Sequence, residues 1–148
     1  MTPEKTGQAD MGSQTDKPTI LIAEDHPMIS IMLADMIEQL ITHSEIIVVD
    51  TLEKAREVKA LPNVVIADLD LPDSKGLSTI NAFATLFPDC PKLICSGVLD
   101  KNLAREAQVA GYFFVNKAST YPELLRALQV LLVQAGVIED VPRNGEKT

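Results

Sequence analysis

Short, wholly apolar runs alternate along this chain with segments whose apolar positions recur at helical spacing. Thr19–Ala23, Glu45–Val49, Val64–Ala67, Lys92–Cys95 and Tyr112–Val115 have the length and the β-branched or aromatic content of strands. They are continuously apolar rather than alternating, the pattern of parallel strands covered on both faces. Between them, Pro27 suits a first helical position, and Ile29, Leu33, Met36, Ile37 and Leu40 follow at helical spacing. Met28, Met32 and Met36 recur at i, i+4 and read as core filler. Asp50 with Glu53 resembles a capping box for a modest helix ending near Leu61-Pro62. A third helix runs roughly Leu77–Phe87, and Asp100 caps a fourth to about Ala110, where Gly111 supplies the stop. Thr120 with Glu123 forms a capping box for the last helix, which Gly136 closes. Five β-α units with right-handed crossovers predict an α/β fold with a doubly wound, five-stranded parallel sheet.

The 148 residues suit one domain, and a hydrophobic fraction of 46% agrees with a sizeable core. The polar stretch 1–17 lacks the apolar core of a signal peptide and reads as a disordered tail. Residues 18–136 form the domain, and 137–148 read as a flexible tail or truncated linker with no output domain after it. A net charge of −8 argues against direct nucleic-acid binding. The most apolar helix, Leu124–Val137, is too short and too interrupted to span a membrane. Cys95 lies in an apolar strand, Cys90 in a loop, and free thiols suit a cytoplasmic location. No glycine-rich dinucleotide or P-loop signature occurs.

The chemistry sits at the strand ends. The first strand delivers Glu24-Asp25, the third Asp68 with Asp70 two residues on, the fourth Ser96-Gly97 and the fifth Asn116-Lys117. In an open parallel sheet these ends meet along one edge. Three carboxylates, a hydroxyl and an ammonium thereby converge into a phosphoryl and divalent-metal site. Carboxylate pairs at ~4 Å repel by about 1 kcal/mol in water and ~4 kcal/mol at an effective dielectric of 20, so the cluster requires a cation. Taken singly, each residue also has a plainer role: an acid as a solvated cap, Lys117 as a loop charge, Ser96 as a turn residue, Phe114 as sheet core. His26 and His43 have no metal partner at useful sequence spacing.

The motifs IAEDHP, VVIADLDLPDSKG, LICSG and FFVNK together resemble the receiver domain of two-component response regulators, over roughly Pro18 to Gly136. His26 between Asp25 and Pro27 is similar to the receivers that usually precede a helix-turn-helix domain. The resemblance implies a flavodoxin-like (βα)5 fold with strand order 2-1-3-4-5. It implies Asp68 as phosphoacceptor and Mg²⁺ as cofactor, held by Asp25, Asp68, the backbone carbonyl of Asp70, and Glu24 directly or through water. Ser96 and Lys117 would bind phosphoryl oxygens. Phe114 would be the switch aromatic reshaping the surface around Leu99–Ala110 and Tyr121–Gln134. The partners implied are a sensor histidine kinase or phosphotransfer protein and a downstream protein, with no enzymatic turnover by the chain itself. A homodimer is compatible with the sequence. Ala118 follows the lysine where many receivers have proline, and Phe113 replaces a common glycine. Two other readings stand beside this one: a haloacid-dehalogenase-type phosphatase using Asp68 and Asp70, and an interaction module independent of phosphorylation.

Overall fold

The computed structural model describes residues 17–97 and 101–139. Its elements in chain order are β1 (Thr19–Ala23), α1 (Pro27–Leu40), β2 (Glu45–Val49), α2 (Leu52–Arg56), β3 (Val64–Ala67), β4 (Asp70–Leu71), β5 (Ser74–Lys75), α3 (Leu77–Leu86), β6 (Lys92–Ser96), α4 (Lys101–Val109), β7 (Phe113–Asn116) and α5 (Tyr121–Gln134). Five strands form one parallel sheet in the order β2-β1-β3-β6-β7, while β4 and β5 make a separate two-residue antiparallel hairpin. With the hairpin set aside this is the order 2-1-3-4-5.

Every residue of β1, β3 and β6 is buried, whereas β2 and β7, at the edges, are partly open. Side chains alternate across the sheet. Ile20, Ile22, Val64, Ile66, Leu93 and Cys95 pack beneath α1 and α5. Leu21, Ala23, Val65, Ala67 and Ile94 pack against Leu52, Ile80, Phe83 and Ala107 on the other face. Burial pushes the Cys95 thiol up to about 12, so it stays protonated and fills the core. No helix among the described residues is long and apolar enough to cross a membrane.

The capping box of α5 is present, with Glu123 N–H donating to Thr120 Oγ1 and Thr120 N–H to Glu123 Oε1. Gly136, at φ 74°, ends that segment in the left-handed region that favours glycine. Two sequence expectations change and a third is not tested. The second helix covers only Leu52–Arg56: its N-cap is Thr51 rather than Asp50, which pairs with Lys54 at 2.9 Å, and its C-cap is already Glu57, short of Leu61-Pro62. Met28 is 81% exposed although Met36 is fully buried. Positions i and i+8 differ by about 80° around a helix, enough to carry Met28 off the core face. Asp100, expected to cap the fourth helix, lies outside the described residues.

Helix α2 has a second cap from far along the chain. Asp73, in the turn between β4 and β5, accepts from Leu52 N–H at 2.8 Å and Glu53 N–H at 3.0 Å. The Leu52 bond foremost, opposed by burial and reinforced by the Glu53 bond and by the charge of Arg56, holds the Asp73 carboxyl below the usual carboxylate range. Asp73→Ala should lower stability at pH 7 by about 1 kcal/mol. A depressed folded pKa contributes stability above the unfolded value, and that contribution is lost as pH falls through the folded one. Urea unfolding should therefore show the gap between wild type and variant complete at neutral pH and closing progressively below about pH 4.

Candidate functional site

Each charged residue at the strand ends is anchored through its own backbone. Glu24 N–H donates to the Val49 carbonyl that ends β2, Asp68 N–H to the Ala23 carbonyl that ends β1, and Lys117 N–H to the Ser96 carbonyl that ends β6. The sheet ladder thus runs one step beyond its strands and fixes the three side chains at one edge. Lys117 Nζ lies 2.8 Å from Asp68 Oδ2, and 2.8 and 3.0 Å from Glu24 Oε1 and Oε2. Glu24 and Asp68 are each 3% exposed. Burial pulls the Lys117 ammonium down, but the hydrogen bonds to Asp68 and Glu24, with their charges, outweigh it and hold the group above the ordinary lysine value.

Asp25 is placed differently. Among the described residues, its Oδ1 is the buried side-chain oxygen with no hydrogen bond. His26 Nδ1 is 3.3 Å away, but it sits closer, at 2.9 Å, to Glu24 Oε2, which also accepts from the His26 backbone N–H. The single proton Nδ1 can carry is spent on Glu24. That bond raises the imidazole pKa, partly opposed by the charge of Lys117. Glu24, Asp25, His26 and Asp68 bring one potential ligand atom each within 4.8 Å of one another. Three carboxylates, one with an unbonded buried oxygen, suit a hard divalent cation. His26, expected from sequence spacing to have no metal partner, lies beside these acids, but its Nδ1 is engaged with Glu24. Pro27 starts α1 immediately after it, and the turn brings the ring back onto the acids that precede it; the adjacency Glu24-Asp25-His26-Pro27 was the available signal.

Asp68, Asp70, Ser96, Gly97 and Lys117 line an open cleft of about 350 Å³ with His26 and Ile29. Asp68 Oδ1 accepts from Asp70 N–H at 3.1 Å. The Asp70 carboxylate does not join the acidic group. It pairs across the hairpin with Lys75 at 2.8 Å, which argues against a chemistry needing Asp68 and Asp70 as two acids in one site. Ser96 is fully buried and pairs in register with Asn116. Phe114 pairs with Ile94 and packs, partly buried, against the core beneath α3 and α4.

The chain matches the model of the response regulator receiver domain over residues 20–129. It is 31% identical over 123 residues to the transcriptional activator protein ExaE of Pseudomonas putida, a match covering 81% of this chain and 58% of that protein. It is 40% identical over 67 residues to the transcriptional regulatory protein CitB of Klebsiella pneumoniae, covering 44% of this chain and 29% of that one. The chain therefore spans only part of the length of these relatives. Its fold is similar to the signal receiver domain of a putative Luxo repressor protein from Vibrio parahaemolyticus, with TM-score 0.70 at 21% identity over 82% of this chain and 94% of that one. It is also similar to the non-phosphorylated HemR receiver domain of Leptospira biflexa, with TM-score 0.69 at 22% identity over 86% and 99%. The strand-end site and these matches agree: the chain belongs to the receiver domain family of response regulators.

Proposed function

We propose that Asp68 accepts a phosphoryl group from the phosphohistidine of a partner kinase or phosphotransfer protein, and that the modified domain signals through a protein surface. The observation that carries this reading is the state of the Asp68 carboxylate: buried, at a strand end, with Oδ2 on an ammonium and Oδ1 on a backbone N–H. An Asp68 oxygen attacks phosphorus as the bond to the imidazole nitrogen breaks, the electron pair leaving with the imidazole. Asp25, Asp68, the Asp70 carbonyl and Glu24, directly or through water, would hold Mg²⁺, which when bound would neutralise charge on the phosphoryl oxygens. Lys117 neutralises the carboxylates beforehand and is placed to follow the charge onto the phosphoryl oxygens. Asp68→Asn is nearly isosteric, so the fold should persist while Mg²⁺-dependent phosphorylation by acetyl phosphate disappears from the intact mass. Full labelling of that variant at another residue would overturn the assignment.

Asp25 has a separate signature. Its orphaned oxygen and its repulsion with neighbouring acids cost stability when no cation is bound. Asp25→Ala should stabilise the metal-free protein by about 1 kcal/mol and weaken Mg²⁺ binding. Thermal melts with and without Mg²⁺ check both effects, and a variant less stable without Mg²⁺ would make Asp25 a structural residue.

The signalling reading rests on Ser96 and Phe114 lying on neighbouring strands. Moving a two-state surface from 1:99 to 99:1 takes about 5.5 kcal/mol, and hydrogen bonds from Ser96 and Lys117 to the phosphoryl group, at about 1.5–3 kcal/mol each, supply roughly that. Phosphorylation should shift NMR signals from Asp68 out to α4, β7 and α5. Ser96→Ala should keep phosphorylation and lose the distant shifts; shifts confined to the acidic pocket in the wild type would make the domain a relay without a switch.

A further inference from the structure

The segment from Asp68 into α3 carries two buried hydroxyls. Thr79, in α3, is 0% exposed and Ser74, in β5, is 7% exposed. Thr79 Oγ1 donates to the Leu69 carbonyl at 3.1 Å, and Ser74 Oγ lies 2.7 Å from Thr79 Oγ1. A hydroxyl has one proton. That of Thr79 goes to the carbonyl, which has none to give, so Ser74 is the donor to Thr79. The Leu69 carbonyl also accepts from Gly76 N–H at 2.8 Å, and both its lone pairs are then engaged. Gly76 takes φ 57°, in the left-handed region, to make this turn.

The carbonyl of Leu69 and the N–H of Asp70 belong to the same planar peptide, and in the trans form they point in opposite directions. Fixing the oxygen at one end therefore fixes the N–H at the other, and that N–H is the one donating to Asp68 Oδ1 at 3.1 Å. Rotation about χ2 of a carboxylate is intrinsically broad; Lys117 holds Oδ2, and the Asp70 N–H supplies the second point that fixes the plane. We infer that Thr79, oriented by Ser74, is a positioning residue that sets the rotation of the Asp68 carboxylate through the Leu69–Asp70 peptide. The inference rests on the reading of Asp68 as acceptor. In the test reaction with acetyl phosphate, an Asp68 oxygen bonds to phosphorus as acetate leaves with the electron pair. An acceptor oxygen out of line loses rate without losing donor affinity.

The test uses the full chain. Thr79→Val keeps the shape and removes the hydroxyl; Thr79→Ser keeps the hydroxyl. With saturating Mg²⁺, Thr79→Val should lower the maximal rate of phosphorylation by acetyl phosphate about tenfold, the rate equivalent of one hydrogen bond. The half-saturating acetyl phosphate concentration, measured at saturating Mg²⁺, should not change. The Asp70 amide should shift upfield and exchange faster in Thr79→Val, and Thr79→Ser should restore both rate and amide. A Thr79→Val protein with wild-type rate and an unchanged Asp70 amide overturns the inference. So does equal slowing in Thr79→Val and Thr79→Ser, which would indicate packing, or failure of both Thr79→Val and Thr79→Ala to fold, which would make the residue structural. Phosphorylation of Asp68→Asn would instead overturn the acceptor reading, while the Asp70 amide in Thr79→Val still reports on the hydrogen-bond chain by itself.

Discussion

The ammonium of Lys117 between Glu24 and Asp68 is the contact on which the strand-end site depends. Those two carboxylates stand at the ends of the paired strands β1 and β3, both buried, and would repel strongly in a medium of reduced dielectric. The lysine comes from the end of β7, with β6 between it and β3. It passes beside the end of β6 at Ser96-Gly97, where a Cβ at Gly97 would meet Lys117 Cδ at 3.8 Å, an ordinary packing distance. Removing Lys117 would leave both buried carboxylates uncompensated, a change that typically costs about 3–5 kcal/mol, whereas loss of either carboxylate alone leaves the ammonium paired with the other. The lysine is thus a structural requirement of the metal-free protein.

Charge balance explains why the site is complete for folding and incomplete for chemistry. Glu24, Asp25 and Asp68 carry three negative charges against the one of Lys117, so the group keeps a net negative charge that a divalent cation would balance. The residual repulsion falls on Asp25, the acid left without a hydrogen bond on its buried oxygen. Glu24, by contrast, is bound at both oxygens. On the proposed reading, Glu24 and Lys117 hold the site in shape while Asp25 is held ready for a ligand that the polypeptide does not provide.

The parallel sheet, its two covered faces and the convergence of Glu24, Asp25, Asp68, Ser96 and Lys117 were legible because they follow from the strand period and from which residue ends each strand. The strand order came from family resemblance, since periodicity carries no information on neighbours. What escaped was set by tertiary geometry. Asp73 caps a helix 20 residues upstream, and neither segment announces the other. His26 folds back on Glu24 because Pro27 starts a helix, a turn that composition does not specify. Ser74 and Thr79 look like ordinary loop and helix-surface residues until both prove buried, and only then does their hydrogen bonding become obligatory.

The helices covering the sheet are anchored unequally. Helix α1 buries Ser30, Leu33, Met36 and Ile37, and α5 buries Leu124, Leu128, Leu131 and Leu132, so displacing either disrupts a row of core contacts. In α4 the buried residue is Ala107, with Leu103 and Ala104 only partly covered. A small side chain anchors little apolar area, and roughly 25 cal/mol per Å² of that area opposes movement. Phe114, half-buried on the edge strand β7, lies against the core face that α4 covers. On the proposed reading, a pull on Ser96 at the end of β6 would find in α4 the neighbour with the least buried apolar area to resist it.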